Sequence, residues 1–238
     1  MRKKILLPCF LLALIFLFAF LNIKVTTKQG VDYRVSRVEL PLYLKVLNFY
    51  GRHFNYKWLA ERVVGHLETK EEKIFRLFQW THEVIRHQPE SLPVMDDHVW
   101  NVYVRGYGVS DNHNDLFSTL CNYIGVDAFM EILYNKFANE EESRERRLSF
   151  VSIERGWVVF DPYHGVYFAN KNGDWATVDE IKNQNWTMVK LAPTDVPVSY
   201  YKPFLEAAPV IKDIGLRRAN VQSPVNRLRL ELVKIFSN

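Results

Sequence analysis

The chain has 238 residues, 48% hydrophobic and 24% charged, a composition that folds rather than staying disordered. Its length predicts one domain of about 200 residues plus an appendage, large enough to need no disulfide staples. Net charge is +4, and setting aside Arg2, Lys3 and Lys4 leaves 28 Lys and Arg against 27 Asp and Glu. A nearly neutral body argues against a nucleic-acid partner, which calls for a strongly basic domain.

The appendage comes first. After the three basic residues runs an apolar stretch, Ile5 to Ile23, interrupted only by Pro8 and Asn22. About 20 apolar residues span a bilayer, so residues 1–23 are expected to form an uncleaved signal anchor, a transmembrane helix. The rival is a cleaved signal peptide. Phe18 and Phe20 flank Ala19, however, so the small-residue cleavage site is missing. The basic start predicts a cytoplasmic N-terminus and an extracytoplasmic domain, with the membrane as a partner through this helix. Cys9 in the run and Cys121 in a helical pattern are the two cysteines, ill placed to pair.

Residues 24–37 are polar and read as a stalk. Residues 38–200 read as the domain, with its core at 69–168, and 201–238 as an extension ending in an amphipathic helix, "SPVNRLRLELVKIF". Within the domain, "LPLYLKVLNFYGRHF" reads as a helix ended near Gly51, and "NYKWLAERVVGHL" as a second one. Thr69 with Glu72 three residues on is a capping box. It opens the clearest helix, with Ile74, Leu77, Phe78, Thr81, Val84 and Ile85 as its apolar stripe, and Pro89 follows its end. "SLPVMDDHVWNVYVRGYG" reads as loop and extended chain, and Asp111 to Ile124 as the next helix, closed by Gly125. The period then becomes strand-like: "VDAFMEILY", "RLSFVSIE", "GWVVFDP" and "GVYFAN", with the charged loop "NKFANEEESRER" between the first two. "TVDEIKNQ" is a short helix capped by Thr177. Helices first and a mostly antiparallel sheet after make an α+β fold.

Three pieces in this order carry a resemblance: the lead-in helix "TKEEKIFRLFQWTHEVIRH", the turn and helix "RGYGVSDNHNDLFSTLCNYIGVDAF", and the strand pair "RLSFVSIERGWVVFDPYHG". Together, over about Thr69 to Gly165, they resemble the transglutaminase-like superfamily, the papain-related Cys-His-Asp fold. The resemblance implies a nucleophile at Ser110, where the family has cysteine. It implies a base at Leu148, where the family has histidine, and Phe150 for the family's tryptophan. It implies an orienting acid at Asp161, which is kept. A helix N-terminus and a His⁺ make a thiolate available at neutral pH; a serine needs a hydrogen-bonded base. Leu148 cannot serve, and Asp161 has no imidazole to orient there. The expectation is a pseudoenzyme.

Two readings of Ser110 stand side by side: a helix N-cap, with Asp111 competing for that role, or a nucleophile served by a rearranged histidine, His113, His164 or His98. Tyr103, Tyr107, Trp157, Tyr163 and Tyr167 are candidates to line a groove between helix 111–124 and the sheet, with Asp111 beside them, for a peptide, glycan or protein ligand. The family's relatives and the anchor suggest envelope or exopolysaccharide processes. The alternatives are a serine hydrolase or acyltransferase, and a structural partner in a membrane assembly. His82 and His87 are five apart and miss the i, i+4 spacing of a helical metal pair. No phosphate loop or dinucleotide fingerprint is present, so neither metal nor cofactor is expected.

Overall fold

The computed structural model describes residues 2–32, 34–96, 98–135, 145–193, 195–209, 211 and 223–236. The expected charged loop lies mostly at 136–144, outside these residues.

Helix α1, Arg2–Leu21, holds the apolar run. It stops earlier than Ile23, where the Asn22 amide donates to the Phe18 carbonyl at 2.8 Å. Of its 20 residues three are basic, and the remaining 17 rise about 26 Å against a hydrocarbon core of about 30 Å. Among the described residues no helix is long and apolar enough to cross a membrane, which corrects the expected transmembrane helix.

The segment expected as a stalk is a hairpin. β1, Lys24–Val31, and β2, Arg34–Pro41, pair antiparallel from Lys24–Pro41 to Val31–Arg34. Asp32 makes the turn with a φ of 46°, and its carboxylate accepts the Val94 N–H at 2.8 Å. Strand β4, Met95–Asp96, adds to β1. The two expected early helices are one, α2, Leu42–Val64. Gly51 does not end it, since a glycine costs a helix only about 1 kcal/mol and the buried residues from Tyr56 onward hold the later turns.

Helix α3, Lys70–Val84, starts at the expected capping box, with Thr69 and Glu72 bonded both ways. Strand β3, Arg86–His87, follows it and pairs parallel with β5, Tyr107–Gly108. Between them Val99–Arg105, expected as extended chain, is helix α4, closed by Gly106 at a φ of 70°. Helix α5, Ser110–Tyr123, is buried continuously from Asn112 to Cys121.

The main sheet comprises β6, Ala128–Tyr134, β7, Glu145–Ile153, β8, Gly156–Asp161, β9, Val166–Ala169, and β10, Thr187–Lys190. They run antiparallel in the order β10-β9-β8-β7-β6. Helix α6, Val178–Lys182, has the expected Thr177 cap. Helix α7, Lys202–Glu206, and helix α8, Pro224–Phe236, complete the described chain.

Two cores lie on the two faces of this sheet. On one, Val151, Val158 and Phe160 pack with Leu116, Phe117 and Leu120 of α5 and with Ile74, Leu77 and Phe78 of α3. On the other, Leu148, Phe150 and Val159 pack with Tyr201, Phe204 and Leu205. Strand alternation divides them. Mixed helix and antiparallel sheet is the expected class.

Candidate functional site

Ser110 is the first residue of α5, and Val109 is its N-cap. The cap reading of Ser110 is thereby corrected: the Asn112 carboxamide oxygen accepts the Val109 N–H at 3.1 Å. The Asn114 amide donates to the Ser110 carbonyl at 2.9 Å, to its Oγ at 3.3 Å and to the Arg147 carbonyl at 3.1 Å. The Asn114 side-chain Oδ1 accepts from Ser149 Oγ at 2.7 Å, and Ser118 Oγ donates to Ser149 Oγ at 3.1 Å. Asn114, Ser118 and Ser149 are all fully buried. This polar ladder joins α5 to β7 and replaces the expected groove between them. Asp111, expected to line that groove, is ion-paired with Arg147 instead.

Among the described residues no imidazole hydrogen-bonds to Ser110 Oγ. His113 faces the Val109 carbonyl with Nδ1 at 3.1 Å and the Ile85 carbonyl with Nε2 at 2.8 Å. Burial pushes its pKa down to about 4, while the two carbonyls pull the other way. His98 sits at the N-cap of α4, its Nδ1 3.1 Å from the Arg52 guanidinium of α2. His164 belongs to a different cluster.

That cluster is centred on Asp161, 1% exposed at the end of β8. Its Oδ1 accepts the N–H groups of Tyr163 and His164, at 3.1 and 3.2 Å. Its Oδ2 accepts His164 Nδ1 at 2.7 Å and the Tyr201 hydroxyl at 2.8 Å. Burial and the neighbouring carboxylate hold the Tyr201 phenol protonated far above its ordinary range. The carboxylate fixes His164 with its proton on Nδ1, leaving Nε2 as the basic nitrogen. Arg146 lies on the same face of β7 as Leu148, its guanidinium 3.6 Å over the Tyr200 ring. Burial lowers its pKa, and Tyr200, Tyr201 and Asp161 raise it. The Asp161–Pro162–Tyr163–His164 turn is seated on α3 and β3. His82 Nδ1 donates to the Pro162 carbonyl at 3.2 Å, and His87 Nε2 to the Tyr163 carbonyl at 3.1 Å. Tyr163 stacks on His87 at 4.1 Å. A Cβ at Gly165 would lie 2.8 Å from the His82 ring, so the turn closes on glycine.

The structure thus joins Asp161 to His164 and leaves Ser110 with Asn114, so the rearranged histidine that was to serve Ser110 is not found bonded to it. Leu148, fully buried, faces away from α5. Tyr201, Arg146, Asn114 and Ser149 were not singled out by sequence reasoning. Only Ser149 had a signal there, being next to Leu148 and therefore on the opposite face.

The aromatic candidates do not share a groove. Tyr107 lies by the Arg105 guanidinium, Tyr167 packs on Phe75 and Phe78, and Trp157 packs on Phe129. Tyr103 instead lines an open cleft of about 430 Å³ between α2, α3 and α4, with Arg62, His66, Arg76 and Trp80. Among the described residues no group of three or more His, Cys, Asp and Glu is arranged to hold a metal.

Residues 57–162 match the family model of the transglutaminase-like superfamily. No curated protein matches the chain. One similar solved structure is a candidate cysteine protease from Cytophaga hutchinsonii, with 16% identity, a TM-score of 0.41, and coverage of 64% of this chain and 56% of that one. Another is a candidate protease from Parabacteroides distasonis, with 10% identity, a TM-score of 0.37, and coverage of 58% and 35%. The chain therefore spans little more than half of the first and about a third of the second. The family match falls on the helices and strands that carry Ser110, Leu148 and Asp161, and residues 57–162 are a domain of the transglutaminase-like superfamily.

Proposed function

We propose that this domain does not perform the family's thiol chemistry and acts as a membrane-attached, extracytoplasmic module that binds a peptide or glycan, in envelope or exopolysaccharide processes. The observation that carries the reading is the environment of Ser110 Oγ, which takes its hydrogen bond from the Asn114 amide. A serine without a base is a poor nucleophile, and Leu148 supplies none. The cleft with Tyr103 and Trp80 offers ring faces and cationic groups to a ligand. Attachment to the membrane is through α1, whose exposed Phe10, Ile15, Phe16 and Phe18 enter lipid. Because α1 is short for a span, stable attachment calls for help from a second element.

The experiment compares the native chain with Ser110→Ala against a panel of ester and amide substrates. The binding reading expects no turnover by either. Turnover by the native chain that Ser110→Ala abolishes would replace it with the serine hydrolase or acyltransferase. That second reading draws on one observation, the 2.7 Å bond from His164 Nδ1 to Asp161, which is half of a triad. His164→Ala separates the two positions: loss of turnover there would show that His164 serves as base. A purely structural role in a membrane assembly predicts no small ligand at all.

A further inference from the structure

Helix α2 has two unlike halves. From Tyr56 onward its inner face is core, with Tyr56 fully buried and Leu59 and Ala60 1% exposed. Before that, residues 43–48 are exposed on every side of the helix. The bare half carries Tyr43, Leu44, Leu47, Tyr50 and Phe54, of which Leu47, Tyr50 and Phe54 are 55 to 63% exposed. Lys45, Asn48 and Arg52 share one side of this half and the apolar residues take the rest, the amphipathic pattern of a helix that lies in a membrane interface, and an exposed apolar patch of this kind marks an interaction surface.

Its position says which one. The Leu42 N–H donates to the Ile23 carbonyl at 2.8 Å, and Lys24 pairs with Pro41. The first turn of α2 therefore sits beside the end of α1, whose Phe10, Ile15, Phe16 and Phe18 are 61 to 72% exposed. The surrounding charge is one-sided: between residues 24 and 62 there are eight Lys and Arg against three Asp and Glu. Aromatic residues at headgroup depth, flanked by basic ones, are the signature of an interfacial helix on anionic lipid.

We propose that the bare half of α2, Leu42 to Phe54, is a second membrane contact, immersed in the headgroup region of an anionic bilayer beside the end of α1. It rests on the membrane reading of α1 given above, and it supplies the second element that a short α1 calls for, since stable attachment takes two signals.

The test uses the full chain with Cys9→Ser, which leaves Cys121, fully buried, as the remaining native thiol. A nitroxide is placed singly at Leu47→Cys, Phe16→Cys or Lys171→Cys, and the protein is reconstituted into phosphatidylcholine–phosphatidylglycerol vesicles. Spin relaxation by oxygen, which concentrates in lipid, is compared with that by a water-soluble nickel chelate. The Leu47 label is expected to give an oxygen-to-nickel ratio several-fold above the Lys171 label, below that of Phe16. A Leu47 ratio equal to that of Lys171, with Phe16 in lipid, overturns this inference and leaves the attachment through α1 standing. A water-exposed Phe16 label overturns both. Strong spin–spin coupling between Leu47 labels also overturns the inference, because a second copy of the chain then covers the face.

Discussion

The two faces of the main sheet treat polar groups in opposite ways. On the α5 face, neutral amides and hydroxyls from Ser110, Asn114, Ser149 and Ser118 form a chain along the helix–strand seam. On the other face a single carboxylate, Asp161, gathers two backbone N–H groups, an imidazole and a phenol within an apolar core. The first arrangement has no ionisable member and the second is built around one. Asp161 is thereby tied to His164 and Tyr201 rather than to Ser110.

Four measurements break or sharpen that contrast. Asp161→Ala leaves the Tyr201 hydroxyl and two N–H groups without their acceptor, and is expected to cost about 3–5 kcal/mol, read by urea unfolding. A loss under about 1 kcal/mol would mean the carboxylate does not organise its face. Next is the acid limb of stability. His113, buried and neutral, has a folded pKa of about 4 against about 6.5 unfolded. Its contribution is present above pH 6.5 and is lost as the pH falls toward 4, because the unfolded chain binds the proton first. The loss is on the order of 3 kcal/mol, and His113→Gln is expected to flatten that part of the pH profile. The two carbonyls that His113 faces act against the shift, so a shallower limb would show them winning over burial.

Asn114→Ala removes the centre of the polar ladder and strands Ser149 Oγ, for an expected loss of about 2 kcal/mol. The outcome that would break the contrast is a stability change there as large as at Asp161. Ser110→Ala should be smallest, within about 0.5 kcal/mol, because the Ser110 carbonyl keeps its bond to Asn114. A larger drop in thermal midpoint would give the hydroxyl a structural role that its single 3.3 Å bond does not suggest.

What the sequence reveals here follows the range of the interaction. The Thr69–Glu72 and Thr177–Glu180 caps are contained in four residues each, and both are found where expected. The strands from Ala128 to Ala169 announce themselves by period. Where local pattern and tertiary packing disagree, packing prevails. "VWNVYVR" is rich in β-formers yet turns into α4, with Val99 and Val102 buried, and Gly51 does not break α2. The hairpin at 24–41 was hidden because its turn lacks the Asn-Gly or Asp-Gly pair that marks tight hairpins. At the site, the Ser110, Leu148 and Asp161 positions follow from motif order. The Tyr201–Asp161 bond spans 40 residues, and no spacing rule reaches that far.

The hairpin has one more consequence, and it concerns reach. Eighteen residues between Lys24 and Pro41, if extended, would let the domain drift about 60 Å from the end of α1. Paired first to last, they bring the chain back to where it left, and the leash has no slack. Whatever holds α1 therefore also fixes how far from it this domain can stand.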